Sequence, residues 1–339
     1  MHVVIAPDSF KGTATAAAVA AAIGEGWASE RPDDTLTLMP MADGGEGTLD
    51  AFATAFPDAR RVPITVTGPA GDPVDASWLA LSDGRAVVEL AATSGLPLLT
   101  TLQPDTAQTI GFGQAIAAAL DAGATGLVLG IGGSASTDGG EGLLSALTLP
   151  DGSFRPLPPL GVSVLTDVTS PLLGPSGAAA VFGPQKGITP SRVPVHEERL
   201  TAWAARFPDV DPSTPGAGAA GGAGFGLLVW GATLVGGASG VASVLGLPGA
   251  IATADVVVTG EGRYDGQSAV GKVPSVVASL AAGRRRMLVA GAIDAPLDDW
   301  DAGASLTVIA TQTTGSPSDA LADPLRFARI AGQRLARMA

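Results

Sequence analysis

Two strand–loop–helix units follow one another within the first 55 residues, and that succession commits the chain to an α/β fold built on a parallel sheet. A buried strand is expected at residues 2–6, a loop through Pro7 and Asp8, and an Ala-rich helix over about 13–29. A second strand near 35–41 leads into ADGGEG and a helix at about 47–55. Residues 61–90 then break the rhythm: RVPITVTG, DASWLALS and RAVVEL are joined by the turn signals GPAGDP and SDGR, the pattern of an antiparallel meander and of a boundary into a second domain. Further α/β units resume, with a helix at about 105–122, a strand TGLVLGIGG, a helix over about 139–148, strands near 162–166 and 178–183, and a helix at about 195–207. The last 85 residues return to the opening rhythm, with a strand ADVVVTG, a helix near 272–282, strands RMLVAGAI and SLTVIATQ, and a closing helix over about 318–338. Residues 1–60 plus 255–339 therefore read as one discontinuous domain, and 61–254 as a second domain inserted into it.

Residues 212–254 contain no charged side chain, which by length alone makes them a membrane-span candidate. Twelve of residues 216–249 are Gly, however, and basic flanks are missing, so a buried, close-packed helix pair lining a site is the stronger reading. The opening HVVIAPDSFKG has an early acid and no positive n-region, so no signal peptide is expected and the cytoplasm is the expected compartment. A formal net charge of −13 leaves no basic footprint for nucleic acid or an anionic membrane. With no Cys and only His2 and His196, thiol chemistry and a His-based zinc site are excluded as well.

What remains is chemistry by carboxylates and a few cations. The chain has only three lysines, Lys11, Lys186 and Lys272, and each adjoins a glycine, where an ammonium and bare amides together suit an anion. Acids stand beside Gly, Ser or Thr wherever an expected strand ends: Asp8-Ser9, Asp43 to Gly47 with Glu46, Ser134 to Gly140 with Asp138, Thr166-Asp167, and Thr259 to Arg263 with Glu261. In open α/β sheets ligands bind at the carboxyl ends of strands, although each acid could equally cap the helix that follows. Carboxylates with anion loops and isolated lysines are the parts needed for phosphoryl transfer. Two familiar patterns lack their context. Gly216 to Gly221 matches G-x-G-x-x-G but follows no strand, and Gly266 to Lys272 matches G-x-x-x-x-G-K but has Val273 where a hydroxyl should meet a metal.

The segments PDSFKG, ADGGEGT, GGSASTDGG, TDVTSPL, VFGPQKG, GAGAAGG and TGEGRYDGQSAVGK, in this order, resemble the motifs of the class I glycerate kinase family over nearly the whole chain. The family usually has Asn where this chain has Thr137 and Ser170, replacements that keep a hydroxyl and lose an amide. The resemblance implies two α/β domains, one Rossmann-like with a largely parallel sheet and one with a mixed sheet, and an active site in the cleft between them. It implies an ATP- and Mg2+-dependent kinase whose small-molecule substrate is D-glycerate, the product being 2-phosphoglycerate or, alternatively, 3-phosphoglycerate. A kinase of a related hydroxy acid and a non-catalytic hydroxy-acid sensor are the other readings; a homodimer is left open.

Within that resemblance the residues take expected roles. Asp167, alone at a strand end, is the expected general base, with Asp8 second and Lys11 beside them. Arg263 is expected to take the substrate carboxylate through its planar fork, with Asp43, Glu46, Ser134 and Asp265 around the hydroxyls. Lys186, Lys272, Gly218, Gly221 and Gly222 are expected at the nucleotide, and Asp138 and Glu261 at the metal.

Overall fold

The computed structural model describes residues 1–10, 12–41, 44–266 and 272–339. Lys11 and Asp43, both expected site residues, lie outside the described residues, as does most of the 266–272 loop. The chain divides into two compact units, one made of Met1–Ala42, Asp50–Pro57 and Gly237–Ala339, the other of Asp43–Leu49 and Asp58–Gly236.

The discontinuous unit carries a five-stranded sheet, parallel throughout. Its strands are β1 (His2–Pro7), β2 (Thr35–Leu38), β9 (Val256–Tyr264), β10 (Arg285–Ile293) and β11 (Ala302–Ser305), in the order β11-β10-β9-β1-β2. The central strands are apolar on both faces because helices cover both, which is why VVIA and VVV read as unbroken hydrophobic runs. From β1 the chain builds outward to β2 on one side and, on its return, to β9, β10 and β11 on the other. The carboxyl ends of β1 and β9 are therefore the place where strand order reverses, the standard ligand position of such sheets. One face is covered by helices Ala16–Glu30 and Pro324–Met338, capped at their starts by Thr15 and Asp323. They pack at glycine distance: a Cβ on Gly26 would lie 1.9 Å from the Arg329 carbonyl oxygen, and one on Gly332 2.2 Å from that of Ile23.

The inserted unit carries a mixed six-stranded sheet in simple sequence order: β3 (Arg60–Thr67), β4 (Pro73–Ala80), β5 (Arg85–Glu89), β6 (Gly126–Gly130), β7 (Val162–Leu165) and β8 (Thr233–Val235). The first three form the antiparallel meander, and β5 to β8 run parallel. Its core is closed by Phe112, Ile116, Leu143 and Phe225 from the covering helices.

Four sequence readings are corrected. SLTVIATQ is not a strand; only Ser305 belongs to β11 and residues Leu306–Thr314 are a helix. Leu306, Ile309 and Ala310 are buried while Val308 is 51 % exposed, so the apolar period is that of a helix despite the β-branched residues. Residues 178–183 form a short helix, Ala178–Phe182, that buries Ala178 and Ala179 and exposes Val181. The uncharged stretch is not a helix pair: it holds helix Ala219–Trp230, β8, and helices Gly237–Leu245 and Leu247–Ala252, and passes from one unit to the other at Gly237. Among the described residues no helix is long and apolar enough to cross a membrane. The closing helix also splits, at Pro324, whose ring cannot continue the helix Asp319–Ala322.

Candidate active site

In the inserted unit the densest polar construction is built on the loop after β6. Residues Ser134 to Asp138 pass directly beneath a left-handed turn at Ala220, Gly221 and Gly222, whose φ values are +54°, +68° and +91°. A Cβ on Gly221 would stand 2.0 Å from the Ser136 carbonyl oxygen and 2.7 Å from Lys186 Nζ. Lys186 is 2 % exposed, and its amine donates to Ser134 Oγ at 2.7 Å and to the Ser136 carbonyl. Burial pushes this amine down from the usual lysine range to about 7, a shift that the Asp138 charge opposes. Ser136 Oγ and Thr137 Oγ1 are buried beside it with no hydrogen-bond partner among the described residues.

Asp138 does not have the bearing of a metal ligand. Its Oδ2 accepts from Thr109 N at 2.9 Å, Thr109 Oγ1 at 2.7 Å and Gly142 N at 3.3 Å, and its Oδ1 accepts from Gly140 N at 3.2 Å. The carboxylate thus joins the starts of two helices, Ile110–Asp121 and Glu141–Leu147, whose first amides lack intrahelical acceptors. The glycines expected at the nucleotide also have a packing role. Gly218 N donates to the Ser170 carbonyl and Gly222 N to the Gly218 carbonyl, so neither amide faces outward to an anion. A Gly221→Val variant places a branched side chain in a left-handed position against backbone, and is expected to lose at least about 3 kcal/mol of stability in chemical denaturation. An unchanged denaturation midpoint with a raised KM for one ligand would instead make the loop an anion cradle.

Asp167 is exposed just beyond the carboxyl end of β7, where Val168 N donates to Thr166 Oγ1 at 3.2 Å and fixes the turn. Glu46 is exposed in the loop that enters helix Thr48–Ala55. That loop is held by a residue the sequence reading missed. Glu89, at the end of β5 and buried, accepts from Gly47 N at 3.2 Å and Leu49 N at 2.9 Å. The signal was present as the lone acid following the apolar AVV of RAVVEL, which a core strand keeps only where donors meet it.

In the discontinuous unit, Asp8 and Glu261 stand at the switch point itself. Asp8 N donates to the Gly260 carbonyl at 2.8 Å, and its carboxylate accepts from Ser9 N at 2.7 Å. Glu261 is buried, with Lys272 Nζ 3.9 Å from its Oε2. Arg263, 70 % exposed at its side chain, pairs with Asp294 at 2.7 Å. Asp265 follows β9 and is half-buried. Among the described residues no group of three or more His, Cys, Asp or Glu side chains could hold a metal ion.

The model of the glycerate kinase family matches residues 3–161 and 151–339. The glycerate 2-kinase of Escherichia coli K12 is 41 % identical over 314 residues, covering 83 % of this chain and 82 % of its own. The glycerate kinase of Bacillus subtilis 168 is 41 % identical over 313 residues, with the same coverage of 83 % and 82 %. A crystal structure of a protein assigned as glycerate kinase 2 from Salmonella typhimurium LT2 superimposes with a TM-score of 0.82 at 37 % identity, covering 100 % of this chain and 98 % of that one.

Proposed function

The chain belongs to the glycerate kinase family, and is therefore a kinase; on that premise we propose that it transfers the γ-phosphoryl group of ATP, in the presence of Mg2+, to the 2-hydroxyl of D-glycerate. The observation that carries this reading is the set of carboxylates and cations at the switch point of the parallel sheet, Asp8 after β1 and Glu261, Arg263 and Lys272 at and after the end of β9, with no His or Cys among them. Phosphoryl transfer asks a protein for positioning and charge compensation, and such residues supply both. The 2-hydroxyl is chosen because the Escherichia coli relative bears the name glycerate 2-kinase.

In the proposed reaction Asp167 takes the hydroxyl proton as the oxygen bonds to the γ-phosphorus, and the bond from that phosphorus to the β-γ bridging oxygen breaks, releasing ADP. Arg263 holds the substrate carboxylate. Its ion pair with Asp294 is a surface pair of the kind that contributes only about 0–1 kcal/mol, so a bidentate carboxylate displaces Asp294 at little cost. Asp8, Glu46 and Asp265 orient the hydroxyls, Ser134 remains tied to Lys186, and Lys272 carries phosphate charge. The donor set suits a magnesium ion brought in on nucleotide phosphates better than one caged by the protein, since Mg2+ is commonly held by one or two carboxylates plus phosphates. Glu261 is the carboxylate that would hold it. Bound there, the ion would neutralise phosphate charge.

The test is incubation of the purified chain with Mg-ATP and, separately, glycerate, hydroxypyruvate, tartronate and glycerol, followed by phosphorus and proton NMR. The expected result is 2-phosphoglycerate from D-glycerate with the other acceptors at least about tenfold slower. Formation of 3-phosphoglycerate, or faster turnover of another acceptor, overturns the assignment.

A further inference from the structure

The run Arg284-Arg285-Arg286 opens β10, and its members behave differently. Arg284 donates to the Ala252 carbonyl, and Arg285 to the carbonyls of Met338 and Ala339. The Arg286 Nε is closed off from solvent and has no acceptor among the described residues. Its backbone is engaged with Asp301, the N–H donating to Asp301 Oδ2 at 2.7 Å and the carbonyl accepting from Asp301 N at 2.9 Å. Arg286 as a whole is half-buried, and it is the Nε alone that is closed off; leaving such a buried donor atom unmet is unfavourable, and native structures seldom do so without something to meet it.

Arg286 lines a cavity of about 310 Å3, at the small end of the range for small-molecule sites. Tyr264, Ser275, Ser279, Asp299 and Trp300 line it with Arg286. Tyr264 and Trp300 are buried and meet edge to face, and the indole N–H donates to the Tyr264 hydroxyl at 3.0 Å. A phenol that already accepts keeps its own hydrogen to donate. Ser279 adds a second hydroxyl that forms no hydrogen bond among the described residues, and Asp299 an exposed carboxylate with no ion pair among them. The wall therefore offers one fixed cation, two neutral donors and one anion to a guest. Side chains alternate faces along a strand, so Tyr264 points to the opposite face from its neighbour Arg263.

We propose that this cavity is a second binding site, for a small organic anion that also carries a hydroxyl or ammonium group. The anion meets Arg286 with the Tyr264 and Ser279 hydroxyls, and the guest's own donor meets Asp299. The site is distinct from the residues assigned to phosphoryl transfer, yet Tyr264 joins it to Arg263 through one strand. Its occupation stands independently of which acceptor the enzyme phosphorylates.

The experiment uses the full chain labelled with 5-fluorotryptophan, with the Trp300 fluorine resonance identified through Trp300→Phe. Inorganic phosphate, 3-phosphoglycerate and L-serine are titrated in turn. The expected result is a saturable shift of the Trp300 resonance with 3-phosphoglycerate or L-serine, stronger than with inorganic phosphate, which lacks a carbon-borne donor. Arg286→Met should weaken that binding at least tenfold. Ser279→Asp, which places a negative charge on an exposed position of the same wall, should do likewise and guards against a folding defect in the first variant. No shift with any probe, phosphate binding as well as the organic anions, or a shift that survives both variants overturns the proposal.

Discussion

Asp167→Asn is expected to lower kcat about 10²–10⁴-fold, the usual range for loss of a general base, while KM for D-glycerate changes far less. Asp167 is exposed immediately past the end of β7, on a turn fixed by Thr166 and Val168, and asparagine has the same shape and the same capacity to sit in that turn. The substitution removes the carboxylate charge and keeps the side chain's shape, and at this exposed position thermal unfolding should show a midpoint within a few degrees of the parent. Steady-state kinetics at saturating Mg-ATP checks the result. Near-native turnover would move the role of base to Asp8, and the parallel variant Asp8→Asn, at a carboxylate already engaged by Ser9 N, would then carry the larger loss.

The parts of the fold that were legible in the sequence are those decided locally. The runs VVIA, GLVLG and VVVTG are long enough and apolar enough to be buried strands in any context, and the turn signals around Gly68 to Asp72 and Ser82 to Gly84 demand the meander. Where two periods compete the sequence is ambiguous: LTVIATQTT has the composition of a strand, and only the packing of Leu306, Ile309 and Ala310 decides for a helix. The three-residue β8 and four-residue β11 have too few side chains to show a period at all.

The candidate site divides along the same line. That acids gather at strand ends is visible in the sequence; what each acid does depends on partners far along the chain. Asp138 is used up by Thr109, 29 positions away, and Glu89 by the backbone of Gly47 and Leu49, about 40 away. Neither separation leaves a local trace. The glycine beside Lys186 likewise marks a turn, as expected, but nothing in VFGPQKG tells that the amine ends inside the protein.

That burial makes Lys186→Met the sharpest test of the inserted unit. The amine is held at about 7 in the folded chain and titrates near 10.5 when unfolded. Between those values the unfolded state binds more protons than the folded one, so stability must rise with pH across that window; below about 7 both states are charged, and above 10.5 both are neutral. One proton's difference gives a slope of at most about 1.4 kcal/mol per pH unit. Methionine abolishes the slope. It also leaves the Ser136 carbonyl and Ser134 Oγ without their donor, a loss present at every pH. Chemical denaturation of both proteins from pH 6 to pH 10 should therefore show the variant falling progressively further below the parent as pH rises, by several kcal/mol at the alkaline end. If Lys186 left its burial to meet nucleotide phosphate, the variant would instead raise KM for ATP more than about tenfold and the stability difference would stay flat with pH. With the amine tied to two atoms of the 134–136 segment and covered by Gly221, the expected outcome is the sloping stability difference with KM for ATP within about threefold of the parent.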